Sequence, residues 1–235
     1  VMASINLGLA QVATSSNYQL QSDSINFGGG LSTSTNYQQE STFGELGTGQ
    51  GSSTNYMLRA GYQQMQEVYL SLTPPSDVTM SPDLQGITGG TSNGSTTVTV
   101  TTDSPAGYSL TIAAANNPAM QSGSNSIANY NQGADADYSF LVTSGLASFG
   151  FSPSSVDVVQ EFRDNTSLCG VGSSDTLLAC WAGMTTAAIP ISQGSGSNHP
   201  SGATTTIYFK VGVGSGAGVI SGLYTATSTL TALPL

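Results

Sequence analysis

From residue 67 onward, apolar and polar residues alternate in short runs, and clusters of turn-forming residues separate the runs. Over residues 96–102, Val98 and Val100 share one face while Thr97, Thr99 and Thr101 share the other. A period of two is the pattern of a strand buried on one side only. Asp103-Ser104-Pro105-Ala106-Gly107 reads as a turn, after which Tyr108, Leu110 and Ile112 again share a face. Residues 68–72 predict a strand that Pro74 and Pro75 stop. Residues 138–142 and 147–151 predict two more. Residues 188–191 predict an edge strand, because Pro190 has no N–H to give to a ladder. Residues 204–213 turn Ile207, Phe209, Val211 and Val213 inward. Residues 223–233 predict one last strand, with Thr225, Thr227, Thr229 and Thr231 on one face and Ala226, Ser228, Leu230 and Ala232 on the other. Helical periodicity is confined to one short turn over 156–162. Eight or nine such strands predict an all-β domain, an immunoglobulin-like β-sandwich, over residues 67–235.

The first 66 residues follow a different rule. Ser16-Asn17-Tyr18, Thr35-Asn36-Tyr37 and Thr54-Asn55-Tyr56 recur at a spacing of nineteen. Leu20, Gln39 and Leu58 fill one column of this repeat, and Phe27, Leu46 and Met65 fill another. Gly28 aligns with Gly47, and Gly30 with Gly49. A fixed period of this kind marks a repeat architecture. Each unit has room for two strands of five or six residues with a turn after each. The expectation is a β-meander or short β-solenoid over residues 14–66, its third unit truncated, with the glycines supplying the turns. Such units bury little, so Tyr18, Leu20, Tyr37, Tyr56 and Leu58 are candidates for contact with another surface.

Ahead of the repeats, Val1, Ala3, Ile5, Leu7 and Leu9 alternate with Met2, Ser4, Asn6 and Gly8. This is a half-buried strand at one end of the chain. It has two readings: it adds to the edge of its own sandwich, or it adds to the edge of a neighbouring subunit. The polar spacer behind it supplies reach, since twenty extended residues span roughly 65 Å. Residues 1–13 are therefore a candidate donor strand.

Composition narrows the function classes. Three Lys and Arg stand against 13 Asp and Glu, giving a formal net charge of -10, and only 7% of residues are charged. A nucleic-acid or anionic-membrane surface needs a basic footprint that Arg59, Arg163 and Lys210 cannot supply. No apolar run reaches the length of a membrane-spanning helix. Abundant Ser, Thr, Asn, Gln and Gly with few charges of either sign predict a secreted protein outside the cell or on its surface. The start Val1-Met2-Ala3 reads as a mature chain after removal of an export signal. Cys169 and Cys180 are eleven positions apart. In this composition a disulfide is favoured over metal ligands, with two buried thiols as the alternative.

Residues that could carry chemistry each have a simpler explanation. His199, the sole histidine, lies in the flexible sequence Gly194-Ser195-Gly196-Ser197-Asn198-His199-Pro200, without a nucleophile elbow. Glu161 and Asp164 flank Arg163, which predicts surface ion pairing. Asn129, Asn131, Asp135 and Asp137 gather oxygens that could meet calcium, although their order is not that of an EF-hand and a solvated loop is favoured over a calcium site. Lys210 alternates with Ile207, Phe209 and Val211 and should point outward, away from the burial an isopeptide crosslink requires. Asn93 and Asn165 begin glycosylation acceptor triplets in predicted loops.

The stretch from Val98 to Thr111, a Val-rich strand, an Asp-containing turn and a Gly-Tyr-x-Leu strand, resembles the core of WxL-type bacterial surface domains. The stretch from Tyr224 to Pro234 resembles that family's closing strand. The resemblance covers about 30 residues. Tyr108 stands where the family has Trp, and the single tryptophan, Trp181, follows Cys180 instead, so the family's peptidoglycan attachment does not carry over. The Ser/Thr-Asn-Tyr repeats joined to such a sandwich also resemble exported surface proteins of small-genome bacteria, which implies a surface location. The resulting expectation is a structural subunit of an extracellular bacterial filament, a homopolymer without cofactor or catalytic residues, formed by donation of residues 1–9 to the next subunit. The alternative is a monomeric surface adhesin or glycan-binding module on a repeat stalk.

Overall fold

A computed structural model describes residues 13–14, 19–20, 28–34, 38–43, 49–52, 57–60 and 68–235. The chain divides into two compact units, Val1–Glu67 and Val68–Leu235. The proposed donor positions Val1, Ala3, Ile5, Leu7 and Leu9 and the repeat tyrosines Tyr18, Tyr37 and Tyr56 lie outside the described residues.

The described part of the first unit is three antiparallel hairpins: β1 (Ala13–Thr14) with β2 (Gln19–Leu20), β3 (Gly28–Thr33) with β4 (Gln38–Phe43), and β5 (Gly49–Ser52) with β6 (Met57–Ala60). Their registers are one register used three times. Ala13 faces Leu20, Ser32 faces Gln39, and Gly51 faces Leu58, each pair nineteen residues beyond the last. The sequence period is thus a pairing period. Gly28, Gly30 and Gly49 sit inside the first strands of their hairpins, not at turns as expected. Each ladder begins two residues before the repeated triplet and one residue after it and runs away from it, so the glycines fall in ladders. Among the described residues no ladder joins one hairpin to the next. A lone hairpin is marginal in water.

The second unit is all-β. Its larger sheet holds β7 (Leu70–Leu72), β8 (Gly90–Thr102), β10 (Met120–Ser122), β11 (Asn125–Asn129), β12 (Ala147–Ser154), β13 (Ala182–Gly183), β15 (Ala203–Val213) and β16 (Thr225–Ala226). The smaller sheet holds β14 (Ile189–Gly194), β9 (Tyr108–Ala114) and β17 (Ser228–Pro234), in that order. β15 pairs along its whole length with β8 and from Thr206 to Val213 with β12, and β11 pairs with β12 in parallel. The expected inward faces are buried: Val98 and Val100 on β8, Tyr108, Leu110 and Ile112 on β9, and Ile207, Phe209, Val211 and Val213 on β15. With Phe149, Phe151 and Ile191 they form one core to which both sheets contribute. Each fully buried aliphatic or aromatic side chain there contributes about 1.5–3 kcal/mol. Gly107 makes the crossing from β8 to β9 possible: its φ is +96, and a Cβ there would run into the carbonyl of Gly194.

Three expectations change. β8 begins at Gly90, six residues before the expected Thr96, because the glycine- and serine-rich stretch is held by β15 along its whole length. Residues 138–142 form no strand. Tyr130 Oη donates to Asp137 Oδ2 at 2.8 Å, and Leu141 N–H donates back to Tyr130 Oη at 3.3 Å. Side chains rather than a ladder fix that segment. The last strand is two. β16 pairs with β10 in the larger sheet, β17 pairs with β9 in the smaller one, and the chain changes sheets at Thr227. The alternation runs through unbroken because both halves keep Ala226, Leu230 and Ala232 half-buried.

Candidate functional site

The cysteines form the disulfide, with Cα atoms 5.6 Å apart. The loop they close is organised by Asp164, whose side chain has no solvent exposure. Its carboxylate accepts from Thr166 N–H at 2.7 Å, Thr176 N–H at 2.9 Å and the Thr176 hydroxyl at 2.9 Å. Burial opposes the charge, but these hydrogen bonds outweigh it and hold the carboxyl below its ordinary pKa. The expected surface ion pair of Arg163 with Glu161 and Asp164 does not form. The guanidinium donates to the carbonyls of Val158, Ser173 and Val156, because the loop curls its backbone acceptors around it. Glu161 has its pKa raised by burial and by the Asp135 carboxylate.

The calcium candidates are not gathered into a site. Asn129 Oδ1 accepts from Ala119 N–H, Asn131 Oδ1 from Gly133 N–H, and Asp137 from Tyr130 Oη. No cluster of three His, Cys, Asp or Glu suited to a metal occurs among the described residues. Asn93 lies within β8, opposite Lys210, and not in a loop, although its side chain is exposed. Asn165 does lie in a loop, where its Oδ1 accepts from Ser167 and Leu168 N–H. His199 N–H donates to Thr102 O at 3.0 Å, and its ring meets Tyr69 edge-on at 5.5 Å. It fastens a loop to the end of β8.

Lys210 departs from its expected solvated position. It does point away from the core, yet a second layer covers that face. Its Nζ lies 4.4 Å from the centre of the Trp181 ring and 5.7 Å from that of Phe140. Phe140 stacks on Tyr130 at 4.4 Å and meets Trp181 edge-on at 5.4 Å. Desolvation lowers the Lys210 pKa. Gly150 and Gly212 make room for the layer: a Cβ on Gly150 would be 2.9 Å from Tyr130 Cβ, and one on Gly212 would strike Val142. Sequence reasoning missed this cluster. The available signal was two glycines and a lone lysine on the outward positions of otherwise strongly apolar strands.

A second buried polar group was also missed. Tyr108 Oη donates to Asp157 Oδ2 at 3.0 Å and sits 3.1 Å from Ser192 Oγ. Burial, with help from Asp157, raises the phenol's pKa to about 12. Tyr108 and Ser192 are fully buried and Asp157 is half-buried beside them, and together they brace β9 against β14.

What remains open is at the surface. A cleft of about 320 Å³ lies between Asn125–Ala128 and Gly145–Ala147, bounded by Ala217–Ile220 and Tyr224. The two edges of the smaller sheet differ. Beyond β14, Val159 N–H donates to Ile191 O at 3.3 Å and Gln193 N–H to Asp157 O at 2.8 Å, and Pro190 and a register shift blunt the strand. Beyond β17 there is no further ladder among the described residues. No protein-family model, curated protein or solved structure matches the chain. Among the described residues, no helix is long and apolar enough to cross a membrane.

Proposed function

We propose that this protein is a structural subunit of an extracellular filament, in which residues 1–9 of one copy add as a strand to the next. The observation that carries this reading is the imbalance of the two sheets. Three strands face eight, and the flank between β17 and β7 keeps Leu70, Leu72, Leu230 and Ala232 only half-buried. An immunoglobulin-like bead short of a strand has this character, and an alternating, uncharged segment is what completes it. Exchange between unlike surfaces propagates as a fibre when the rotation between copies does not close. Burial of Ile5, Leu7 and Leu9 would contribute about 5–9 kcal/mol to each contact. The disulfide fits an oxidising compartment, and scarce Lys and Arg leave few sites for trypsin-like proteases. The repeat hairpins would act as the tether between donor strand and bead.

The test is deletion of residues 1–13. The full chain should form thin fibres in negative-stain images, and the truncated chain should stay a folded monomer. Fibres of unchanged abundance from the truncated chain would end the strand-donation reading. A full chain that stays monodisperse at high concentration and binds glycans would make the protein an adhesin instead.

A further inference from the structure

Resting on the filament reading, we infer that the acceptor for the incoming strand is the outer edge of β17, with Ser228, Leu230, Ala232 and Pro234 as its pairing positions. The parity of the ladder fixes which residues these are. Leu235 N–H donates to Gly107 O, and Thr227 O accepts from Ala115 N–H. In an antiparallel pair, every second residue exchanges both of its backbone bonds with the partner. Residues 227, 229, 231, 233 and 235 therefore face β9. The backbone groups of Ser228, Leu230, Ala232 and Pro234 face outward, and none has a backbone partner among the described residues. Pro234, which has no N–H, falls on this outward set, as the parity requires.

The side chains agree with the backbone. Along a strand, the residues with outward backbone groups share one face. Here that face is the core side, where Leu230 and Ala232 are half-buried. A strand laid against β17 would turn its own alternate residues to the same side, beside Leu70 and Leu72 of β7. β7 neighbours β17 yet shares no ladder with it. The leading nonapeptide fits in length and pattern: five alternate apolar positions, Val1 to Leu9, against four outward positions on β17. It also fits in charge. Residues 1–9 and 211–235 carry no charged side chain in a protein of net charge -10, so this is a place where two copies meet without repulsion. The other edge of the small sheet is closed by residues 157–159, and it carries a proline and a bulge, the usual protections of an edge strand. β17 has none of these before Pro234.

Proline substitution tests the assignment on the full chain. Ala232→Pro removes an N–H that the bead does not use, whereas Thr231→Pro removes one that β9 holds. Ala232→Pro is expected to stay folded by circular dichroism and to polymerise about tenfold less at equal concentration, the loss of one hydrogen bond to the added strand. Thr231→Pro should unfold the bead. Hydrogen exchange on the unaltered protein gives a second measurement that needs no variant: amides of Ser228, Leu230 and Ala232 should become protected in fibres relative to the monomer lacking residues 1–13. If Ala232→Pro polymerises normally, or those amides exchange equally in both states, while deletion of residues 1–13 still abolishes fibres, the donor stands and this acceptor is wrong. If neither the deletion nor Ala232→Pro alters fibres, donation itself is wrong.

Discussion

The two faces of the sheet formed by β12 and β15 solve the same problem in different ways. The inner face buries Phe149, Phe151, Ile207 and Val211 against the smaller sheet. It is a dry core built from strand alternation. The outer face carries Gly150, Lys210 and Gly212, and the 130–142 loop brings Tyr130, Phe140 and Val142 down onto them, joined by Trp181 from a separate segment bridged to Asp137. On the inner face each strand residue supplies its own volume. On the outer face the strand supplies absences, and residues far away in sequence fill them. Burial on one side of a strand is therefore no guide to exposure on the other.

The comparison can be broken by mutation. Phe151→Ala should have the largest effect, about 3–5 kcal/mol in denaturant unfolding, because the side chain is fully buried and tilted against Phe162. A cost under 1 kcal/mol would mean that the inner core is loosely packed. Alkaline unfolding should come next. Tyr108 is raised to about 12 mainly by burial, so the fold favours its neutral phenol. That contribution is whole below pH 10 and is lost as pH rises from 10 to 12, about 2–3 kcal/mol for a shift of this size. Tyr130, on the outer layer and also raised to about 12, should lose its contribution over the same window. Stability of Tyr108→Phe measured across that window should fall less steeply; equal steepness would remove the buried phenol from the account. Lys210→Met should have the smallest effect. Burial disfavours the charged amine, so wild-type stability should rise as pH climbs from the lowered pKa towards 10.5. The methionine variant should lack that rise and match or exceed the wild type at pH 7. A clear loss at pH 7 would show that the contact with Trp181 outweighs desolvation.

How much could be foreseen follows the same division. Where one strand's own alternation decides burial, as in Val98, Val100, Tyr108, Leu110, Ile112 and Ile207, the fold was legible. The nineteen-residue spacing likewise foretold a repeated element, and the shared register gives it physical meaning. What escaped were contacts between distant segments. Residues 138–142 look like a strand because Tyr138, Phe140, Leu141 and Val142 are apolar or aromatic residues of the kind strands favour, but the aromatic partners of Phe140 belong to a loop layer and not to a ladder. The change of sheet at Thr227 leaves the alternation intact, so no pattern could reveal it. Asp164 resembles any surface acid until its three donors from residues 166 and 176 are in place. The proposed acceptor edge depends on strand order, which the alternation of a single strand does not encode.

The common register of the hairpins also bears on how such a chain can lengthen. Because each described hairpin closes on itself, a crossover between any two equivalent points of the repeat would add or remove one whole hairpin and split none. The count of units could then drift by unequal recombination while the residues from 68 onward stay unaltered, and the segment ahead of them would change length in steps of nineteen residues.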